Sequence, residues 1–83
     1  MGGLNYGVIA LISGRSQESM KERFLSALKE FVIDIKDTQE ILIEGRVILA
    51  ISFFCDPAHI SAIEKDLSSI AETLNLDLAF DPL

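Results

Sequence analysis

Two segments of this chain are apolar at nearly every position. Residues 6–13 read YGVIALIS and residues 47–55 read VILAISFFC. The length of each run, and the Gly14 that closes the first, predict strands buried on both faces. Strands of this kind belong in the middle of a sheet, so the rest of the chain must supply the sheet edges and a covering layer.

Two amphipathic helices are predicted between the strands. Ser19 and Glu22 predict a capping box at the start of the first helix. Asp56 is a favourable N-cap for the second helix, Pro57 suits its first position, and Asn75 predicts a left-handed stop. The first apolar stripe consists of Met20, Phe24, Ala27, Leu28 and Phe31. The second consists of Ile60, Ile63, Leu67, Ile70, Ala71 and Leu74.

The remaining segments alternate between apolar and polar residues. Residues 33–36 and 41–43 predict a half-buried strand, which residues 37–40 interrupt with a bulge. Glu44-Gly45 then predicts a hairpin turn. Residues 76–81 alternate in the same way and predict a final edge strand.

The element order is therefore β-α-β-β-α-β. Two right-handed crossovers joined by a hairpin predict an α+β, ferredoxin-like sandwich, a four-stranded antiparallel sheet with two helices on one face. The other face would expose an apolar set, which we expect a second copy or a neighbouring domain to cover. The candidate sets are Val8, Ala10 and Ile12, or Gly7, Ile9 and Leu11, with one set from residues 47–54.

Length and composition limit the number of domains, the partners and the compartment that the protein can have. With 83 residues, 49% of them hydrophobic, the chain is predicted to be a single domain over residues 1–83 and a part of a larger protein. The net charge of −6 argues against a nucleic-acid partner. Cys55 is the single cysteine, which favours the reducing cytoplasm. No membrane span is predicted. Met1-Gly2 resembles a myristoylation signal, which we interpret as coincidence because Tyr6 replaces its Ser or Thr.

Residues able to do chemistry are scarce. His59 is the single histidine and is predicted to be an exposed helix-start residue, while Cys55 is predicted to be a small core residue. No phosphate-binding glycine motif, metal-ligand spacing or catalytic constellation is present, so we expect no cofactor, no metal and no enzymatic activity in this chain. Residues 13–19 join a buried strand to a helix N-terminus. They predict either a plain turn or a site for a small carboxylate.

The chain resembles an ACT domain, a small regulatory module that typically binds amino acids and pairs with other ACT domains. The resemblance rests on the element order, on Gly14, on Glu44-Gly45-Arg46, and on the patterns of residues 45–55 and 75–79. It is closest to the N-terminal ACT domain of bacterial phosphoserine phosphatases, hydrolases of L-serine biosynthesis. Two alternatives are a stand-alone regulator of the glycine-cleavage repressor type and a small acylphosphatase-like enzyme.

The resemblance also implies a ligand site. In place of the family's G-x-D-x-P-G turn, residues 14–19 read GRSQES. The residues implied to bind L-serine or another small amino acid are Gly14, Arg15, Ser16, Gln17 and Ser19 of one copy. Asp37 of a facing copy stands where the family often has Asn, and its carboxylate could receive an ammonium group. The implied partners are therefore a small amino acid and a second ACT domain, in a homodimer or a tandem pair.

Overall fold

The elements follow the predicted order. A computed structural model describes residues 3–83, so the interpretation of Met1-Gly2 lies outside the described residues. The elements are β1 (Tyr6–Arg15), α1 (Met20–Leu28), β2 (Ile33–Ile43), β3 (Arg46–Cys55), α2 (Ile60–Thr73) and β4 (Asp77–Pro82). The strand order is β2-β3-β1-β4, with every neighbouring pair antiparallel. The two doubly apolar strands are central, which confirms the ferredoxin-like prediction.

The core lies between the sheet and the two helices. Opposed residues of an antiparallel pair point to the same face, so the ten pairs of β1 and β3 divide their side chains into two sets. Val8, Ala10 and Ile12 are buried beneath the helices. The set left on the opposite side, which we call the open face, therefore contains Gly7, Ile9 and Leu11. From β3 the core takes Val47, Leu49, Ile51, Phe53 and Cys55.

A one-residue bulge divides β2 into two parts. Ile35 pairs with Phe53, and Asp37 pairs with the next residue of β3, Ser52, so Lys36 is the extra residue. A shift of one residue turns all later side chains to the other face of a sheet. Ile33 and Ile35 consequently pack against the core, whereas Ile41 and Ile43 lie on the open face. The predicted bulge exists, but it precedes residues 37–40, which are continuous strand.

Two details at the helix ends differ from prediction. The predicted capping box is wrong, because Ser19 has a left-handed backbone with φ of 62° and its side chain makes no capping hydrogen bond. The helix α1 ends at Leu28, before Phe31, although Phe31 still packs against the core from the following turn. The local sequence favours a capping box, but the chain must turn between β1 and α1. The left-handed backbone of Ser19 makes that turn.

Three predicted turns are confirmed. Glu44 and Gly45 both have positive φ, 53° and 76°, as a two-residue type I′ hairpin requires. The Asp56 carboxylate accepts a hydrogen bond from the Ala58 N–H at 3.0 Å, which caps a short 3-10 turn, Pro57–His59, that leads into α2. Asn75 has φ of 57° and ends α2. The Leu76 N–H then donates to the Ala71 carbonyl at 2.8 Å, the pattern of a Schellman cap.

The buried face of β3 provides the first test. Ile51 is fully buried, so Ile51→Asp places an unpaired charge in the core and is expected to lower the free energy of unfolding by about 3 kcal/mol or more. Ile48→Asp is the matched control, since Ile48 lies on the open face of the same strand with 48% of its surface exposed. Urea unfolding measures both. Equal losses would contradict the assignment of the two faces.

Candidate functional site

A groove crosses the open face at the hairpin end of the sheet. Its floor is a row of four opposed residues, one from each strand: Ile41, Ile48, Ser13 and Asp77. The groove has a volume of about 440 Å³, within the range of small-ligand sites. Gly14, Ile43, Glu44, Arg46 and Val47 complete its lining. We call this the hairpin groove. It is apolar on the β2 side and polar on the β4 side.

Charges of both signs flank the hairpin groove. Arg46 lines it directly, and Arg15 is paired with Arg46 across β1 and β3. Like charges directly opposed in a sheet destabilise it. Among residues 3–83 the single ion pair within 4.0 Å joins Lys36 and Asp34, so neither arginine has a carboxylate that close. An anion seated between the arginines would relieve their repulsion, while Asp77 lies on the opposite side of the groove.

The predicted turn is held mainly by contacts within the protein. The Ser16 N–H donates to the Gly45 carbonyl at 2.9 Å. Gln17 Nε2 donates to the Leu74 carbonyl at 2.8 Å and to the Arg15 carbonyl at 3.3 Å. Helix ends leave carbonyls without helical partners, and Gln17 satisfies one at the end of α2. The turn thus ties β1 to the hairpin and to α2.

Gly14 and Asp37 lie in different surroundings. Gly14 has φ of 151°, and a Cβ built there would come within 2.7 Å of Leu76 Cδ2, so its lack of a side chain makes room for the core. Asp37 is opposite Ser52, two rows along the open face from the hairpin groove, and accepts hydrogen bonds from the Thr38 N–H and Gln39 Nε2. Within one chain, Asp37 is therefore roughly 13 Å along the strand from the groove.

Of the six predicted site residues, the structure brings two to the hairpin groove. Gly14 lines it, and Arg15 is opposite Arg46 at its end. Ser16, Gln17 and Ser19 belong to the turn beside it. Ser13 belongs to the predicted turn of residues 13–19, whereas the sequence analysis did not identify Arg46 or Asp77 as site residues. Arg46 could have been placed from the sequence. The two-residue turn at Glu44-Gly45 fixes which residues of β2 and β3 are opposed, and it sets Arg46 opposite Ile43.

The two other reactive side chains lie away from the hairpin groove. Cys55 is buried at the end of β3, and burial, with a smaller contribution from the Asp56 carboxylate, raises the pKa of its thiol. A raised thiol pKa disfavours the nucleophilic thiolate. The full burial of Cys55 within the core cluster confirms its interpretation as a core residue. His59 is exposed, with its ring 6.5 Å from that of Phe31. Within residues 3–83, no three His, Cys, Asp or Glu side chains cluster as metal ligands.

Sequence comparison places the chain in a family of regulatory modules. A family model of the ACT domain matches residues 7–81, nearly the whole chain. The chain therefore belongs to the ACT domain family and is a regulatory domain. No curated protein matches its sequence significantly. Over residues 3–83, none of the helices combines the length and apolar character needed to cross a bilayer.

Solved structures show the same fold at low sequence identity. A protein described as a glycine cleavage system transcriptional repressor matches with a TM-score of 0.88 and 12% identity, over 98% of this chain and 47% of the other. Formyltetrahydrofolate deformylase from Burkholderia mallei matches with a TM-score of 0.84 and 13% identity, over 93% of this chain and 28% of the deformylase. An ACT domain protein from Streptococcus pneumoniae matches with a TM-score of 0.78 and 12% identity, over 93% of this chain and 89% of the other protein. This chain thus spans less than half of the first two proteins.

Backbone strain at the turn provides the second test. Gly14→Ala forces a side chain into a positive-φ position against Leu76, so it is expected to destabilise the fold by about 2 kcal/mol. Ser19→Gly is expected to act oppositely, gaining up to about 1 kcal/mol, because glycine adopts the left-handed conformation without steric cost. Gly3→Ala, with open space around it, is the control. Thermal and urea unfolding would contradict this account if Gly14→Ala and Gly3→Ala were equally stable.

Proposed function

We propose that this ACT domain binds a free amino acid in the hairpin groove and pairs with a second ACT domain along β2. The observation that carries the ligand proposal is the combination of the opposed Arg15 and Arg46, the Asp77 carboxylate and an isoleucine floor around one groove. A free amino acid has an anionic group, a cationic group and a side chain. The hairpin groove offers a complement to each of the three.

The spacing of the groups suits a small zwitterion. Asp77 and Arg46 are two strands and two residues apart, which sets their Cα atoms at roughly 12 Å. Side chains directed into the groove from its two ends would leave space for one small molecule. The ligand carboxylate would contact the arginines, and its ammonium group would contact Asp77 and the Ser13 hydroxyl. Its side chain would lie over Ile48 and Ile41, which are about half exposed.

The exposed edge of β2 supports the pairing proposal. An edge strand with exposed aliphatic residues is a template for another strand, and Ile41, Leu42 and Ile43 are each more than half exposed. The other edge, β4, carries Asp77, Asp81 and Pro82, which are residues that discourage strand pairing. An antiparallel β2–β2 pair centred near Glu40 would bring Asp37 of a second copy beside Ile43 and the hairpin groove.

The lengths of the matching proteins support a larger parent protein. Both the repressor and the deformylase contain this fold as less than half of their chains. We retain the prediction that residues 1–83 are one part of a larger protein. A phosphoserine phosphatase is the parent implied by sequence resemblance. The repressor type is the alternative, with support from fold likeness alone.

Amino-acid titration of the ¹⁵N-labelled chain tests the ligand site. We expect saturable amide shifts at Ser13, Arg46, Ile48 and Asp77 with L-serine, glycine and L-leucine. Leucine should bind about tenfold more tightly than glycine, because it covers part of the isoleucine floor. Asp77→Asn should weaken binding about tenfold. Asp81→Asn is the matched control, since Asp81 lies on the same face of β4 but two rows away.

Two results of that titration would contradict the proposed site. Shifts confined to residues 14–19 and to Asp37 would favour the turn implied by the family resemblance over the hairpin groove. No shifts at millimolar amino acid, in a sample with a dispersed spectrum, would remove the ligand proposal altogether. The chain would then be an ACT module that acts through pairing alone.

Sedimentation velocity tests the pairing. We expect the wild-type chain to sediment at twice its 9.1 kDa mass. Leu42→Lys should shift it to the monomer, because it places a charge on the pairing edge of β2. Leu83→Lys is the matched control, because Leu83 and Leu42 are 65% and 62% exposed and Leu83 follows β4. A monomeric wild type, or equal dissociation of both variants, would contradict pairing through β2.

A further inference from the structure

The open face carries a second feature beyond the hairpin groove. Its centre is an apolar strip that runs along β1 and β3, which we call the open-face lane: Ile9, Leu11, Ala50 and Phe54. These four side chains are partly exposed and are covered by no element within residues 3–83. Contiguous apolar area of this kind on a soluble domain marks an interaction surface.

Acidic residues border the lane on both sides. One row across the sheet consists of Asp37, Ser52, Ile9 and Asp81. A carboxylate therefore lies at each end of the row that contains Ile9, one on each edge strand. Asp77 continues the border on β4. On the β2 side Asp34 is already paired with Lys36 at 2.7 Å, and the Lys36 ammonium lies 5.9 Å from the centre of the Phe54 ring. The row that contains Ile9 therefore has a negative charge at each end, whereas the row that contains Leu11 ends in the uncharged Gln39 and Ala79.

The width between the two borders matches a helix. Asp37 and Asp81 are separated by three strand spacings, roughly 14 Å. An α-helix with its side chains is about 10–12 Å across, so one helix fits along the lane with its flanks beside the two borders. An extended strand would leave one side of the lane uncovered.

A second copy of this chain is a poor occupant of the lane. Two open faces placed together would oppose their acidic borders. The exposed side of α2 carries Glu64, Asp66 and Glu72 against one cation, Lys65. An anionic membrane surface would be repelled by the same borders.

We propose that the open-face lane docks an amphipathic α-helix of a partner protein, with aliphatic residues on the lane and Lys or Arg beside Asp37 and Asp81. The aliphatic stripe of the partner helix would bury the apolar side chains of the lane. Its basic flanks would set the orientation of the helix and exclude neutral or acidic helices. This docking surface does not depend on the amino-acid site. Because the lane runs into the hairpin groove at Ile48, a helix bound there would lie next to any bound ligand.

A pair of synthetic peptides tests the docking surface. The probe is a five-turn helical peptide of about 18 residues, with leucines every three or four positions and lysines on both flanks. The comparison peptide has glutamates in place of the lysines. We expect the lysine peptide to shift the amides of Ile9, Leu11, Ala50 and Phe54 in the ¹⁵N spectrum. The glutamate peptide is expected to leave them unchanged.

Charge variants show whether the borders act as proposed. Asp37→Asn with Asp81→Asn should weaken binding of the lysine peptide about fivefold, the effect of two screened charge contacts. The matched control is Glu64→Gln with Asp66→Asn on the exposed side of α2, which should leave the affinity unchanged. All four substitutions are at exposed positions, so the fold is expected to persist.

Four results of the peptide experiments would overturn the proposal. These are an absence of shifts with the lysine peptide, shifts confined to the two helices, equal binding of both peptides, and equal loss in both double variants. Concentration-dependent shifts of the lane in the protein alone would also overturn it, because a second copy would then be the occupant.

Discussion

The ten-pair antiparallel ladder between β1 and β3 supports every other part of the structure. Its buried side forms the base on which α1 and α2 pack, with Ala10, Ile12, Leu49 and Ile51 fully covered. Its other side forms the centre of the open face. A residue added or lost in either strand would exchange the two sides. Core packing and the exposed surface are therefore set by the same register, and the helix layer holds that register in place.

Much of the fold follows from local patterns in the sequence. The two doubly apolar runs identify the central strands, and the residues at Glu44-Gly45, Asp56-Pro57 and Asn75 each favour the turn or cap that forms there. These signals agree because each depends on neighbours close in sequence. The βαββαβ order then leaves few arrangements, since crossovers are right-handed and hairpin strands are adjacent. The family resemblance, which rests in part on the same element order, implies the same arrangement.

The candidate site was less predictable because it depends on long-range contacts. Gln17 gave no sign that its amide would reach the Leu74 carbonyl, 57 residues away in the chain. Ser19 adopts a left-handed backbone because of the path from β1 into α1, which outweighs its preference for capping. The exact place of the bulge decides whether Ile41 and Ile43 are core or surface, and alternation alone cannot reveal it. The hairpin groove exists because Lys36 is the extra residue.

The bulge at Lys36 has a consequence for how this domain can change over evolutionary time. Ile33 and Ile35 have little freedom to vary, since they pack against the core. Ile41 and Ile43 belong to the same strand and the same alternation, yet the bulge frees them from that packing. Substitutions there alter the surface offered to a ligand or a partner while the fold stays intact. One extra residue thus separates side chains that the core constrains from side chains of the same strand that can vary without disturbing it.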